Sequence, residues 1–363
     1  MRIEIDDRLR PFSHTPGTTC LIPGTFYSVR VFPCFLQIYD ISKSTPVLVG
    51  EVCVKLSGPI EQFTVQQDLE KGYISVWGRA PQGFFRYCLR GHAEGKGIEF
   101  YVEKAPEVGL TVTFEGQDQF LAEKASLHFF TEDKIFRPYV APIRERLSLG
   151  NNKAQDWDLV KRRLDPKEII PVWHRLGHLI PATEPPRLYQ GNLELLQSFK
   201  ETFSTKKNDE SMQKLMNLFR AGFEGILTPR LNDDDYQGLT KSVYSSNDLS
   251  PLVLVSEGSH LIRRLFVSQE GNTIEVLPFL PPELHYGRFL HIQLNGGSIS
   301  LEWTKKIIRR VAFYAQEDQE FKFDFRHIRS FRLREEEGKE QKLSTGISIS
   351  MEKNRSYYFD NFS

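Results

Sequence analysis

Between Phe223 and Gly238 the chain gathers Glu224, Arg230, Asp233, Asp234 and Asp235 in a stretch framed by Gly225, Pro229, Tyr236 and Gly238. Repulsion between neighbouring carboxylates pulls their pKa values apart and can leave one protonated as an acid. The same oxygens can instead hold a hard cation. In an enzyme, Glu224 and the Asp233 to Asp235 cluster would be the catalytic acid and base of a small carbohydrate-active hydrolase, which sets two carboxyl groups across its substrate. The spacing fits no calcium loop, because the alternating oxygen ligands and the distant glutamate are missing. Arg230 and Tyr236 are candidate ligand-binding residues of this loop. Trp157 is a third, inside the amide-rich run Asn152 to Asp158, since sugar sites combine an aromatic platform with amides and carboxylates. The plainer readings, a solvated turn-forming loop and a joint between domains, are preferred for both segments.

His174 and His178 lie four apart, which on a helix puts both rings on one face, as a two-histidine metal pair requires. The residues between them, Arg175, Leu176 and Gly177, lack the glutamate of the zinc-protease motif, and no cysteine is near. The pair therefore reads as partly exposed helix histidines, and no metal site and no cofactor are expected. Gly91 and the Glu94 to Gly97 run resemble a phosphate loop only superficially, since the hydroxyl after the lysine is missing and strands flank both sides. No nucleophile elbow and no dinucleotide fingerprint occurs, so serine or cysteine hydrolysis has no support.

Lysine plus arginine equals aspartate plus glutamate, 47 against 47, so no net field draws the protein to nucleic acid or to an anionic membrane. The basic residues Lys305, Lys306, Arg309 and Arg310 read as a sheet edge guarded by charge. Twenty-seven Phe and 13 Tyr against 4 Met bias the chain toward aromatic-rich strands. Cys20, Cys34, Cys53 and Cys88 show no zinc spacing and read as thiols of a cytoplasmic protein. The opening MRIEIDDRLRPF lacks the apolar run of an export signal, and no segment reaches the roughly 18 apolar residues of a membrane span. Neither nucleic acid nor membrane is expected as a partner.

The elements that must position these residues follow from periodicity. Alternation over Leu48 to Leu56, Phe85 to Arg90 and Leu110 to Glu115, with turn signals at Ser57-Gly58-Pro59 and Pro81-Gln82-Gly83, predicts an antiparallel β-sandwich over residues 1–137. Residues 138–250 form a helical connector that carries the acidic loop. There Asp165, Pro166 and Glu168 start one helix, kinked or restarted at Pro171, with the stripe Ile169, Trp173, Leu176 and Ile180. Asn192 caps a second helix, with Leu193, Leu196, the Lys200 stem and Phe203 on its stripe; Met212, Leu215, Met216, Phe219 and Phe223 line a third. Trp173 and Phe219 should be buried. Residues 251–333 are read as a C-terminal antiparallel β-domain beginning with strands at Leu252 to Val255 and Ile262 to Val267. Residues 334–363 are a charged tail with a possible added strand. The fold class is mainly β with α, two antiparallel β-sandwich domains joined by a short helical segment.

Within the last domain, Ile274 to Pro281, Leu290 to Gly297, Ser298 to Trp303 and Ile307 to Tyr314 match in order a strand ending in an apolar-proline run, a glycine-containing strand, a tryptophan hairpin and a final apolar strand. This resembles the C-terminal β-domain of (α/α)6-barrel glycoside hydrolases, above all the inverting α-L-fucosidases and their maltose-phosphorylase relatives. The last hairpin departs from the pattern, with Thr304, Lys305 and Lys306 in place of its glycine. The helical barrel that carries the catalytic carboxylates of those enzymes has no counterpart in this chain. The resemblance thus implies a non-catalytic or catalytically reduced glycoside-hydrolase-like protein that binds carbohydrate or a protein partner. A small hydrolase built on the paired carboxylates and a structural interaction protein are the alternatives.

Overall fold

The computed structural model describes residues 3–91, 97–130, 145–151, 153–205, 208–336 and 338–363. About 43 % of the chain is strand and 18 % helix, so the mainly β character read from the alternating patterns holds. The boundaries at 137 and 138 lie outside the described residues.

The first two sheets have six strands each and are antiparallel throughout. One runs Phe12–Ser13, Glu61–Asp68, Tyr73–Ala80, Gly83–Gly91, Ile98–Lys104 and Ser126–Phe129 in spatial order; the other runs Gln117–Leu121, Leu110–Phe114, Val47–Lys55, Phe35–Asp40, Tyr27–Phe32 and Thr18–Leu21. Period-two patterning turns Val76, Tyr87, Phe100 and Val112 inward, and Phe114 of one sheet meets Phe129 of the other at 4.5 Å between ring centroids. The amide of Gln67 donates to the Leu21 carbonyl across the same interface at 2.9 Å. The predicted inward face of the Val47–Lys55 strand holds for Val52 and Val54 but not for Leu48, which is exposed. A register shift opposite Ile38 and Tyr39 inserts one residue there, and Val47 and Val49 are exposed as well.

Five helices follow among the described residues: α1 (Trp157–Arg163), α2 (Pro166–Gly177), α3 (Asn192–Thr205), α4 (Asn208–Gly222) and α5 (Leu252–Phe266). Asp165 caps α2 through its carboxylate, which accepts from the Lys167 amide. Glu168 does not complete the expected capping box; it takes both arms of Arg163 at 2.8 Å. The helix runs on through Pro171, whose ring is buried. Asn192 begins α3 from within and uses its side-chain amide to donate to the carbonyls of Ala221 and Arg230. Phe199, not the exposed Lys200, fills the third place on the α3 stripe.

The largest departure from the sequence reading is α5. Leu252 to Val255 and Ile262 to Phe266 are the two ends of one helix, not two strands, and only Val267 is extended. Leu252, Val253, Leu254 and Val255 are all buried, and a helix turn buried on every side has the same continuous apolar run as an inner strand. The space is taken by α2. A Cβ on Gly258 would come within 2.5 Å of the Trp173 indole, and one on Gly177 within 2.3 Å of Ser259 Cβ, so the two helices cross where side chains are smallest. Trp173 Nε1 donates to the Val255 carbonyl at 3.2 Å and locks the crossing.

Beyond α5 lie a four-stranded sheet (Val267–Glu270, Thr273–Val276, Gln319–Phe325, Ser348–Met351) and a seven-stranded one (Arg146–Ser148, Tyr286–Leu294, Gly297–Thr304, Ile307–Ala315, Ser356–Asp360, Ser330–Glu335, Glu340–Ser344). Thr273–Val276 pairs parallel with Gln319–Phe325, an exception to the antiparallel expectation, because the intervening chain crosses over to build the hairpins of the larger sheet. Phe313, Phe321, Phe323, Phe325, Phe331 and Phe359 fill the space between the two. The segment 334–363 is no tail: Ser356–Asp360 lies inside the seven-stranded sheet, hydrogen-bonded to Ile307–Ala315 on one side and Ser330–Glu335 on the other. Within it Asp360 pairs with both Arg332 and Arg334, and Arg355 pairs with Glu352.

Trp173 and Phe219 are buried, as their stripes predict. Truncating Trp173 to alanine leaves a cavity at the α2–α5 crossing and should lower stability by about 3–5 kcal/mol in urea unfolding, against about 0.5 kcal/mol for an exposed site such as Lys200.

Candidate metal centre

Three polar side chains converge where α2 and α5 meet the seven-stranded sheet. His174 lies in the last turn of α2 and His178 is its C-terminal cap, so helical spacing brings their rings edge to face at 4.7 Å. Glu145 directly precedes the edge strand Arg146–Ser148, which pairs with Tyr286–Leu294 and thereby points the carboxylate at the helix. His174 Nε2 and His178 Nε2 each lie 3.5 Å from Glu145 Oε2 and 3.3 Å from each other. The side chains of His174 and Glu145 are 1 % and 3 % exposed, that of His178 12 %.

Hydrogen bonds from neighbouring elements reach the outer atoms of His174 and Glu145. Ser259 Oγ donates its proton to the His174 carbonyl at 3.1 Å, so at its 3.3 Å contact with His174 Nδ1 it accepts. In the tautomer with its proton on Nδ1, the ring donates to Ser259 Oγ and turns the Nε2 lone pair toward the cluster. Glu145 Oε1 accepts from the Gln293 amide at 2.9 Å and lies 3.5 Å from Arg263 Nε, while Arg263 also donates to the Gln293 carbonyl. Oε2 is buried with no hydrogen-bond partner among the described residues, a costly arrangement for a carboxylate oxygen.

Burial acts first on both ionisable groups. It would raise the Glu145 carboxyl, but contact with His174 and His178 and the charge of Arg263 outweigh it and hold the group well below the usual carboxylate range. Burial pushes His174 down to about 4, with the Glu145 contact opposing only in part. Near neutral pH the cluster is therefore one carboxylate and a neutral His174, the protonation state that metal ligands need. A tetrahedral ion bonded at about 2.0–2.1 Å sets its ligand atoms roughly 3.3–3.4 Å apart. The observed separations of 3.5, 3.5 and 3.3 Å lie within about 0.2 Å of that edge length. Among the described residues this is the one His, Cys, Asp and Glu group of three or more whose atoms come so close.

The residues that sequence reasoning favoured are not brought together in this way. Glu224 faces Arg30 at 4.0 Å. Arg230 donates to the Ala221 carbonyl and pairs with Asp235. Asp233 accepts from the Gln237 amide and shapes the turn. Asp233, Asp234 and Tyr236 do line one open groove of about 470 Å³ with Asn232 and the 240–243 segment, and Tyr236 stands almost wholly in solvent. Trp157 is no platform: it is 1 % exposed and packs edge-on against Phe219, because Asp156 caps α1 and turns the first helical residue inward. The histidine pair was visible in the sequence, but His174 is buried, not partly exposed. Its third partner, 29 positions before it, carries no local signal.

No protein-family model matches the chain, and no curated protein matches it.

The His174 shift has a definite sign. A folded value near 4 lies below the ordinary 6.5, so the unfolded chain takes up the proton first and stability falls as the pH drops through that window. In chelator, urea unfolding should show the wild type losing up to about 3 kcal/mol between pH 6.5 and pH 4 beyond any loss in His174→Leu. Equal pH slopes in the two proteins would contradict the buried neutral imidazole.

Proposed function

We propose that the protein binds a divalent transition metal, zinc above all, through Glu145, His174 and His178. The observation that carries this reading is the buried Glu145 Oε2, without a hydrogen-bond partner among the described residues, 3.5 Å from two Nε2 atoms that lie 3.3 Å from each other. Two imidazoles and one carboxylate suit zinc, whereas calcium takes six to eight oxygens and magnesium an octahedral shell. Ser259 and the Gln293 amide supply the outer hydrogen bonds that orient such ligands. Bound there, the ion ties the edge strand at Glu145 to α2, and through Ser259 and Arg263 to α5. The chelated protein should take up one zinc per chain in titration calorimetry and elemental analysis. Replacing Glu145 by Gln or His178 by Ala should weaken uptake by more than the roughly 10–100-fold that loss of an outer-shell partner costs. A wild type that takes up no zinc, or a His178→Ala protein that binds as tightly as wild type, would refute the assignment.

The open groove at Asp233, Asp234 and Tyr236 supports a second reading, a carbohydrate-binding surface on a glycoside-hydrolase-like β-scaffold. An exposed tyrosine beside carboxylates and hydroxyls offers a stacking face and hydrogen bonds for a sugar. On a glycan array the wild type should retain at least one oligosaccharide, and Tyr236→Ala should lose it. Retention unchanged by that substitution would remove the groove from consideration.

A further inference from the structure

The three donors occupy one face of a tetrahedron and leave a fourth vertex, and the charges around it specify what belongs there. This step rests on the metal-binding reading above. A divalent ion with one carboxylate and two neutral imidazoles carries a net single positive charge. The Arg263 guanidinium, 3.5 Å from Glu145 Oε1, adds another. Among the described residues, the other groups seen against the cluster are Ser259, Phe289 and the Gln293 backbone; none of these is anionic. Among the described residues no further carboxylate, cysteine or histidine joins the three ligands. Excess positive charge in so buried a place is unfavourable unless an anion accompanies it.

Access favours one side. His178 and Arg263, with side chains 12 % and 27 % exposed, are the least covered members of the cluster, while His174 and Glu145 close it from within. A guanidinium presents a planar fork that matches carboxylate or phosphate oxygens. We infer that the metal-loaded centre is an oxyanion site, in which a small carboxylate or phosphate takes the fourth metal position from the His178 side and is held at its other oxygen by Arg263.

Cobalt(II) reports the fourth ligand through its visible bands, so the test uses chelated full-length protein reloaded with one equivalent of cobalt at fixed neutral pH. Acetate and inorganic phosphate are titrated in separate arms. The expected result is a saturable band shift with at least one of them, weakened about tenfold in Arg263→Gln, the loss of one charge-assisted hydrogen bond, and largely retained in Arg263→Lys. Cobalt bound with bands that ignore both anions would overturn the oxyanion site and leave metal binding standing. A shift of equal affinity in Arg263→Gln would overturn the role of the arginine. Failure of the wild type to take up cobalt would overturn the metal assignment and this inference together.

Discussion

The close crossing of α2 and α5 is the constraint from which the centre of this molecule follows. Gly177 and Gly258 remove the side chains that would hold the helices apart, and Trp173 fills the remaining space with its indole N–H on the Val255 carbonyl. Only at that separation does Ser259 reach both the carbonyl and the ring of His174. The same contact excludes water from the imidazole, which is why burial dominates its proton affinity. Packing and electrostatics are therefore one problem here. A helix pair spaced by larger residues would solvate His174 and restore an ordinary surface histidine.

Around that crossing the two pairs of sheets act as supports. The seven-stranded sheet brings Glu145 in from its edge strand and supplies the Gln293 amide, and a register irregularity between Phe289 and Ile292 lies between the residue that packs on His174 and the one that binds Glu145. Irregularities of this kind re-aim a strand locally. The interior position of Ser356–Asp360 makes the stability of this sheet depend on the last residues of the chain, so the part of the sequence that reads as an appendage is joined by two ladders to the frame that holds the site.

The acidic loop shows how a dense motif can be consumed by local structure. Arg230, the residue best placed to polarise a substrate, spends its donors on the Ala221 carbonyl and on Asp235. Asp233 holds a turn through the Gln237 amide. What remains in solvent is Tyr236 and the rim of an open groove.

Sequence by itself determined what depends on near neighbours. Period-two alternation placed the strands of the first sheets, Asp165 and Pro166 fixed the start of α2, and i, i+4 spacing put His174 beside His178, because each of these is set by backbone geometry within a few residues. It misread α5, whose apolar run is the same whether a helix or a strand is buried on all sides. It also missed the insertion of Ser356–Asp360 between strands far away in the chain. Tertiary structure alone decided that Glu145 meets the histidines, that Ser259 bonds to His174 and that Arg263 charges the neighbourhood. Those partners come from an edge strand and a second helix distant in sequence, and a contact between distant residues leaves no periodicity to read; it exists only once burial has brought them together.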